Sequence, residues 1–97
     1  MSRDIEISRR AKSDLAEIWR YGVQRWGTTQ AGRYIRDIDA HIHMVAENPL
    51  IGTACDEVRS GYRRISVGSH MLFYRATQRR LLVARVLHER TDYGRHL

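Results

Sequence analysis

The sequence predicts an α+β domain with the order β-α-α-β-β-β, a helix hairpin packed on one face of a small, mostly antiparallel sheet. Three observations predict it. Residues 61–92 read as three short strands joined by two-residue turn candidates at Gly68-Ser69 and Gln78-Arg79. Two stretches between Arg9 and Asn48 space their apolar residues as helices do, and Ile5-Glu6-Ile7 alternates as a strand does. With 97 residues and no repeat, low-complexity tract or linker, a single domain over 1–97 is the economical count.

Taken in order, residues 3 to 7 form a first short strand, and Ser8 is a suitable N-cap for a helix. From Arg9 to Trp26 the apolar positions are Ala11, Leu15, Ile18, Trp19, Gly22 or Val23, and Trp26, with charges between them. Gly27 stops that helix. Thr28 or Thr29 can cap a second, in which Ala31, Ile35, Ile38, Ile42 and Val45 make a continuous stripe until Asn48-Pro49 ends it. So short a link makes the helices antiparallel neighbours. Residues 50 to 61 hold Gly52 and Gly61 with little periodicity and read as a loop.

The last strand, Leu81 to His88, governs the functional argument. Alternation puts Leu81, Val83, Arg85 and Leu87 on one side and Leu82, Ala84, Val86 and His88 on the other, so both faces are apolar with one charge embedded. Such a strand needs cover on both sides. Two helices cover one face of a small sheet; the other is expected to be a groove, holding Arg85, that a partner fills. Trp19 and Trp26, seven apart on one helical face, are expected to pack in the core, or one of them to edge that groove. Phe73 and Tyr74 must lie on opposite faces of their strand.

Composition narrows the partners. The formal charge is +6, and every basic residue but Lys12 is arginine, whose planar fork suits carboxylates and phosphates. An acidic protein or a nucleic acid fits that surface, as does plain solvation. The lone Cys55 excludes an internal disulfide and argues against a thiolate zinc site. His41 and His43 are two apart on a helix and cannot share an ion, so no metal and no cofactor is expected. Met1-Ser2-Arg3-Asp4 lacks the pattern of a signal peptide and no apolar run reaches membrane-span length, so a cytoplasmic setting is expected.

No phosphate-binding glycine loop or nucleophile elbow occurs. The arrangement that could support acid/base chemistry is Arg63, Arg64, Arg85, His88 and Tyr93, with arginines steadying a scissile phosphate and an imidazole or phenol moving the proton. Against it stand Arg63 and Arg64 on opposite faces of a strand, and Arg85 paired to a partner's acid.

Trp26-Gly27-x-x-Gln30-Ala31, Asn48-Pro49-x-x-Gly52, Gly61-Tyr62-Arg63, His70-x-x-Phe73-Tyr74-Arg75 and Arg85-Val86-Leu87-His88-x-Arg90-x-Asp92 together resemble the ParE toxins of type II toxin–antitoxin systems, in the RelE/ParE superfamily. The resemblance spans nearly the whole chain. It implies a toxin that is not an enzyme, inhibits DNA gyrase, and is neutralised by a ParD-like antitoxin whose acidic, amphipathic segment folds on binding. It implies antitoxin contacts at Trp19, Trp26, Arg63, Phe73 and Arg85, and no sequence-specific nucleic-acid binding by the toxin alone. Target contacts are expected in the tail, at His88, Arg90, Asp92 and Arg95, because the tail from His88 to Leu97 is polar, charged and free of core duties. The RelE branch implies the alternative, a ribosome-dependent mRNA endoribonuclease using Arg63, Arg64, Arg85, His88 and Tyr93. This chain departs from many ParE relatives in having Thr91 where they carry methionine, and it lacks the RelE lysines.

Overall fold

The computed structural model describes residues 2–97. Strand β1 (Asp4–Ile7) leads into helices α1 (Arg9–Trp26) and α2 (Thr28–Glu47). A 3-10 turn at Pro49–Ile51 precedes β2 (Thr53–Ala54), β3 (Arg63–Val67), β4 (His70–Ala76) and β5 (Arg80–His88), and a second 3-10 turn covers Tyr93–Arg95. The strands form one sheet in the order β1-β5-β4-β3-β2, with β1 parallel to β5 and every other pair antiparallel. The α+β architecture is therefore as expected.

Ser8 joins the first strand to the first helix. Its side chain accepts the Ala11 N–H at 3.0 Å as an N-cap should, while its hydroxyl donates to the Ala84 carbonyl and its N–H to that of Val83. The cap thereby pins the start of α1 to the edge of β5. At the hairpin bend, Gly27 adopts φ 88°, a conformation open to glycine, and closes α1 by donating its N–H to Val23. Gly27 also occupies the N-cap of α2 with no side-chain bond, so the expected threonine cap is corrected: Thr28 and Thr29 are already helical.

The helix-side core joins Ala11, Ile38, Ile42, Val45 and Ala46 to Val67, Leu72, Tyr74, Leu81, Val83 and Val86 of the sheet. A Cβ on Gly22 would stand 3.1 Å from that of Ala31, so the small residue lets the two helices close on each other. Tyr74 is fully buried and spends its hydroxyl on the 3-10 turn that follows α2, donating to the Pro49 carbonyl at 2.5 Å and accepting the Gly52 N–H at 3.0 Å. That bond pair fixes the stretch before β2.

Three expectations are corrected. Residues 50–61 are not all loop, because Thr53–Ala54 pairs with Arg63–Arg64 and widens the sheet by an edge strand. The alternation of β5 breaks: Phe73 faces Arg85 and Tyr74 faces Val83, leaving Ala84 as an extra residue. Beyond that bulge Val86, not Leu87, joins the helix-side core. Third, the far side of the sheet is not bare. Phe73 and Leu87 are buried there beneath Cys55 and Tyr62 of the loop after β2, with Val58, Tyr93 and Leu97 packed around them. Fully burying a phenylalanine contributes about 1.5 to 3 kcal/mol, enough to hold a short roof in place.

Candidate functional site

The embedded arginine is matched from within. Arg85 makes a two-pronged ion pair with Asp14 of α1, Nε and Nη2 each 2.8 Å from a carboxylate oxygen, and its Nη1 donates to the His96 carbonyl. Asp14 also accepts the Val86 N–H at 2.9 Å. β1 stops opposite Val83, so beyond it the β5 edge lacks a strand neighbour, and the Ser8 and Asp14 side chains serve in its place. Hydrogen bonding to Asp14 holds the guanidinium even more firmly in its charged form. Arg85 and Phe73 are thus occupied in the fold, which corrects their expected place in an open groove.

Of the residues proposed for acid/base chemistry, the fold brings together Arg64 and Tyr93 but leaves Arg63, Arg85 and His88 apart from them. Arg63 donates to the Gly52 carbonyl at 2.7 Å, in a hollow with Arg3, Glu47 and Pro49. Arg64 donates to the Tyr93 hydroxyl at 2.6 Å on the far side, where Tyr93 lies 5.0 Å from Phe73 between ring centres. His88 is on the helix side beside His70, and Arg85 is held at the β5 edge. Proton transfer to a phosphate needs the donor within hydrogen-bond reach of the groups that hold it. Arg64 and Tyr93 meet that condition as a pair, but Arg63 and Arg85 are committed elsewhere and the His88 imidazole lies on the other side of the sheet.

What the fold does assemble is a cleft of about 610 Å³ where the end of α1 meets the start of α2 and the β3–β4 turn. Ile18, Tyr21, Trp26, Tyr34, His70 and His88 supply most of its wall, with Glu17 and Arg25 at the rim. The rings run edge to face from Tyr21 to Trp26 (6.4 Å), Tyr34 (5.9 Å), His70 (5.5 Å) and His88 (5.4 Å). Trp26 is 42% exposed and Trp19 39%, so neither is the core residue that helical spacing suggested. The close Gly22–Ala31 approach leaves no room for a large ring between the helices, and Trp26 turns over Tyr34 instead.

Tyr34 anchors the cleft floor. Its hydroxyl lies 2.5 Å from His70 Nδ1, within reach of the Val67 carbonyl at 3.1 Å, and accepts the Ser69 N–H. Burial, reinforced by the neighbouring His88, pushes the His70 imidazole down from its ordinary value, so it is neutral at pH 7. Tyr34 and His70 are site residues that sequence reasoning missed. Tyr34 sits beside the α2 stripe at Ile35 and Ile38, and His70 directly follows the Gly68-Ser69 turn, but only folding closes the pairing of 36 residues' separation.

Of the expected target contacts, Arg90, Asp92 and Arg95 are exposed after β5, Arg95 facing Asp92 at 3.9 Å, and His88 Nδ1 accepts the Arg90 N–H. The tail is not free of core duties, since Tyr93 and Leu97 help roof the far side. His41 and His43 each face an aspartate one turn earlier, and among the described residues no cluster of three histidines, cysteines or carboxylates could hold a metal ion.

Comparison with known proteins sets this geometry in context. Residues 5–93 match the family model described as ParE toxin of type II toxin–antitoxin system, parDE. The chain is 48% identical over 98 residues to Toxin ParE1 of Mycobacterium tuberculosis, covering the whole of both chains. It is 47% identical over 91 residues to Toxin ParE1 of Caulobacter vibrioides, covering 94% of each. Its fold matches a chain in a structure of the chromosomal ParDE toxin–antitoxin system of P. aeruginosa with a TM-score of 0.77, at 17% identity, over 90% of this chain and 96% of that one.

Proposed function

This chain belongs to the ParE toxin family of type II toxin–antitoxin systems, and from that premise we propose that it inhibits DNA gyrase without chemistry of its own and is neutralised by a ParD-like antitoxin. The observation that carries the antitoxin part is the exposed aromatic cleft. A small basic protein whose sheet has a packed core on each side still leaves Trp26 and Tyr21 half in water, 42% and 58% exposed, around a hollow. An amphipathic antitoxin segment laid along the α1–α2 hairpin would cover them, and Trp19 lies on the same helix within its reach. Arg63 and the far-side residues are left out of that contact.

The dispersal of Arg63, Arg85 and His88 away from the Arg64–Tyr93 pair favours a blocking toxin over a ribonuclease. The exposed side of the tail, with Arg90, Asp92 and Arg95, is the surface we assign to the target; His88, which lines the cleft, goes with the antitoxin contact instead. Both partners work in the cytoplasm, and no helix among the described residues is long and apolar enough to cross a membrane.

The experiment is a supercoiling assay with purified gyrase and this protein, repeated after adding a ParD-like antitoxin. Expected are lost supercoiling, trapped cleaved DNA, and rescue by the antitoxin. Undisturbed supercoiling together with cuts inside translated messages would transfer the assignment to the ribonuclease.

A further inference from the structure

The cleft carries more than apolar cover, because its polar groups are unbalanced. Glu17 is already paired with Arg20 at 2.7 Å, whereas Arg25, His70 and His88 have no carboxylate within ion-pair distance among the described residues. Aromatic walls with a basic rim suit an apolar side chain with a carboxylate close to it in sequence.

His70 is built so that it can gain a proton without losing a hydrogen bond. In the neutral Nε2–H tautomer the Tyr34 hydroxyl donates to Nδ1 while accepting from the Ser69 N–H. On protonation Nδ1–H becomes the donor, and the Tyr34 hydrogen turns to the Val67 carbonyl, 3.1 Å away. Every bond is kept and one is added. Nε2–H, the ring's other nitrogen, stays available to a ligand in the cleft. A purely structural histidine needs no such two-position partner. The β3–β4 turn holds the hydroxyl in place: Gly68 has φ 58°, and a Cβ there would come within 2.5 Å of the Tyr34 ring.

We propose that the cleft recognises an antitoxin segment presenting a carboxylate beside an apolar side chain, and that His70 takes up a proton as that carboxylate seats. This rests on the antitoxin reading above and adds to it a specificity residue and a pH dependence. The surrounding charges agree. From α1 the cleft faces Arg25, the paired Glu17 and, further off, Asp14, which is committed to Arg85. From α2, Arg33 and Asp37 flank the outer side of Tyr34; from β5 comes His88, followed by Glu89 and Arg90. Burial and His88 keep the imidazole neutral in the free protein, and an arriving carboxylate reverses that balance.

The sign comes from linkage: a complex that binds one more proton than its parts tightens as pH falls, by up to about tenfold per pH unit. Affinity for the purified antitoxin is to be measured by calorimetry from pH 8 to pH 5.5, with the His70 imidazole followed by NMR in the free and bound protein. Expected are a roughly tenfold tightening across that range, proton uptake on binding, and a His70 titration moved upward in the complex. His70→Gln should flatten the pH dependence, and Tyr34→Phe, which keeps the ring but removes the hydroxyl, should reduce it. An affinity that ignores pH, a His70 titration unmoved by binding, or a pH slope undiminished in folded H70Q each overturns the inference while leaving antitoxin binding intact. Failure of the antitoxin to bind at any pH removes the antitoxin reading itself.

Discussion

Asp14 gathers three hydrogen bonds on two oxygens, two from the Arg85 guanidinium and one from the Val86 N–H, with both side chains about seven-eighths buried (13% and 14% exposed). Removing one member of such a pair strands the other charge in a low-dielectric site. Asp14→Ala should therefore lower stability by on the order of 3 kcal/mol, read as a shift in the urea midpoint. Asp14→Leu with Arg85→Met should recover much of that loss. Arg85 stands out in the sequence because a lone charge on an apolar strand demands a partner, but the partner lies 71 residues away on another element, and no local pattern names it. Cys55 and Tyr74 show the opposite effect of burial, which pushes both the thiol and the phenol up from their ordinary values. Cys55 should resist a thiol reagent at pH 8 and react once denaturant is added. The linkage has a definite sign. Above about pH 9 the unfolded chain loses these protons while the folded one keeps them, so stability present below that range should fall as pH rises through it. Denaturant midpoints at pH 8 and pH 10.5 measure the fall.

Elements are legible where periodicity is long and illegible where it is short. The stripe Ala31, Ile35, Ile38, Ile42, Val45 is a physical requirement of a twenty-residue helix lying on a sheet, and α2 matches it. β2 has two residues, both exposed, and so carries no alternation to detect. The β5 bulge at Ala84 is equally silent, since an inserted residue merely swaps the faces of Val86 and Leu87, both apolar. The tryptophans mislead for a different reason: spacing says which residues share a face but not how near the neighbouring helix stands. That nearness can be tested at Gly22, where a Cβ would lie 3.1 Å from that of Ala31. Gly22→Val should pry the hairpin open and cost about 1 to 3 kcal/mol, outweighing any gain in helix propensity. Thermal unfolding of the variant reads the loss directly, and quenching of Trp26 fluorescence should change with it, because that ring packs 3.4 Å from the same Cβ position.

At the scale of the whole molecule, the chain builds a core on each face of its sheet with 97 residues by making its tail serve twice. The tail is the clearest case. One side packs: Tyr93 rests against Phe73, receives a hydrogen bond from Arg64, and with Leu97 roofs the far face. The other side shows Arg90, Asp92 and Arg95 to water, Arg95 with 82% of its side chain exposed. The apolar far face is legible in the strand pattern; its cover is not, because Cys55, Tyr62, Tyr93 and Leu97 come from irregular segments with no period to announce them. On the proposed reading, a two-sided tail separates stability from target recognition. Tyr93→Ala should uncover Phe73, raise the fluorescence of a dye that binds apolar surface, and lower stability by about 1 to 3 kcal/mol, less than a fully buried aromatic would cost. Arg90→Glu with Arg95→Glu should leave the urea midpoint within about 0.5 kcal/mol of the parent, as exposed substitutions do. If the exposed side meets gyrase and the antitoxin seats on the α1–α2 cleft, that charge-reversed variant should lose gyrase inhibition by tenfold or more while its affinity for the antitoxin changes less than threefold. Equal losses of both would place target and antitoxin on one surface and remove the division of labour between the two sides of the molecule.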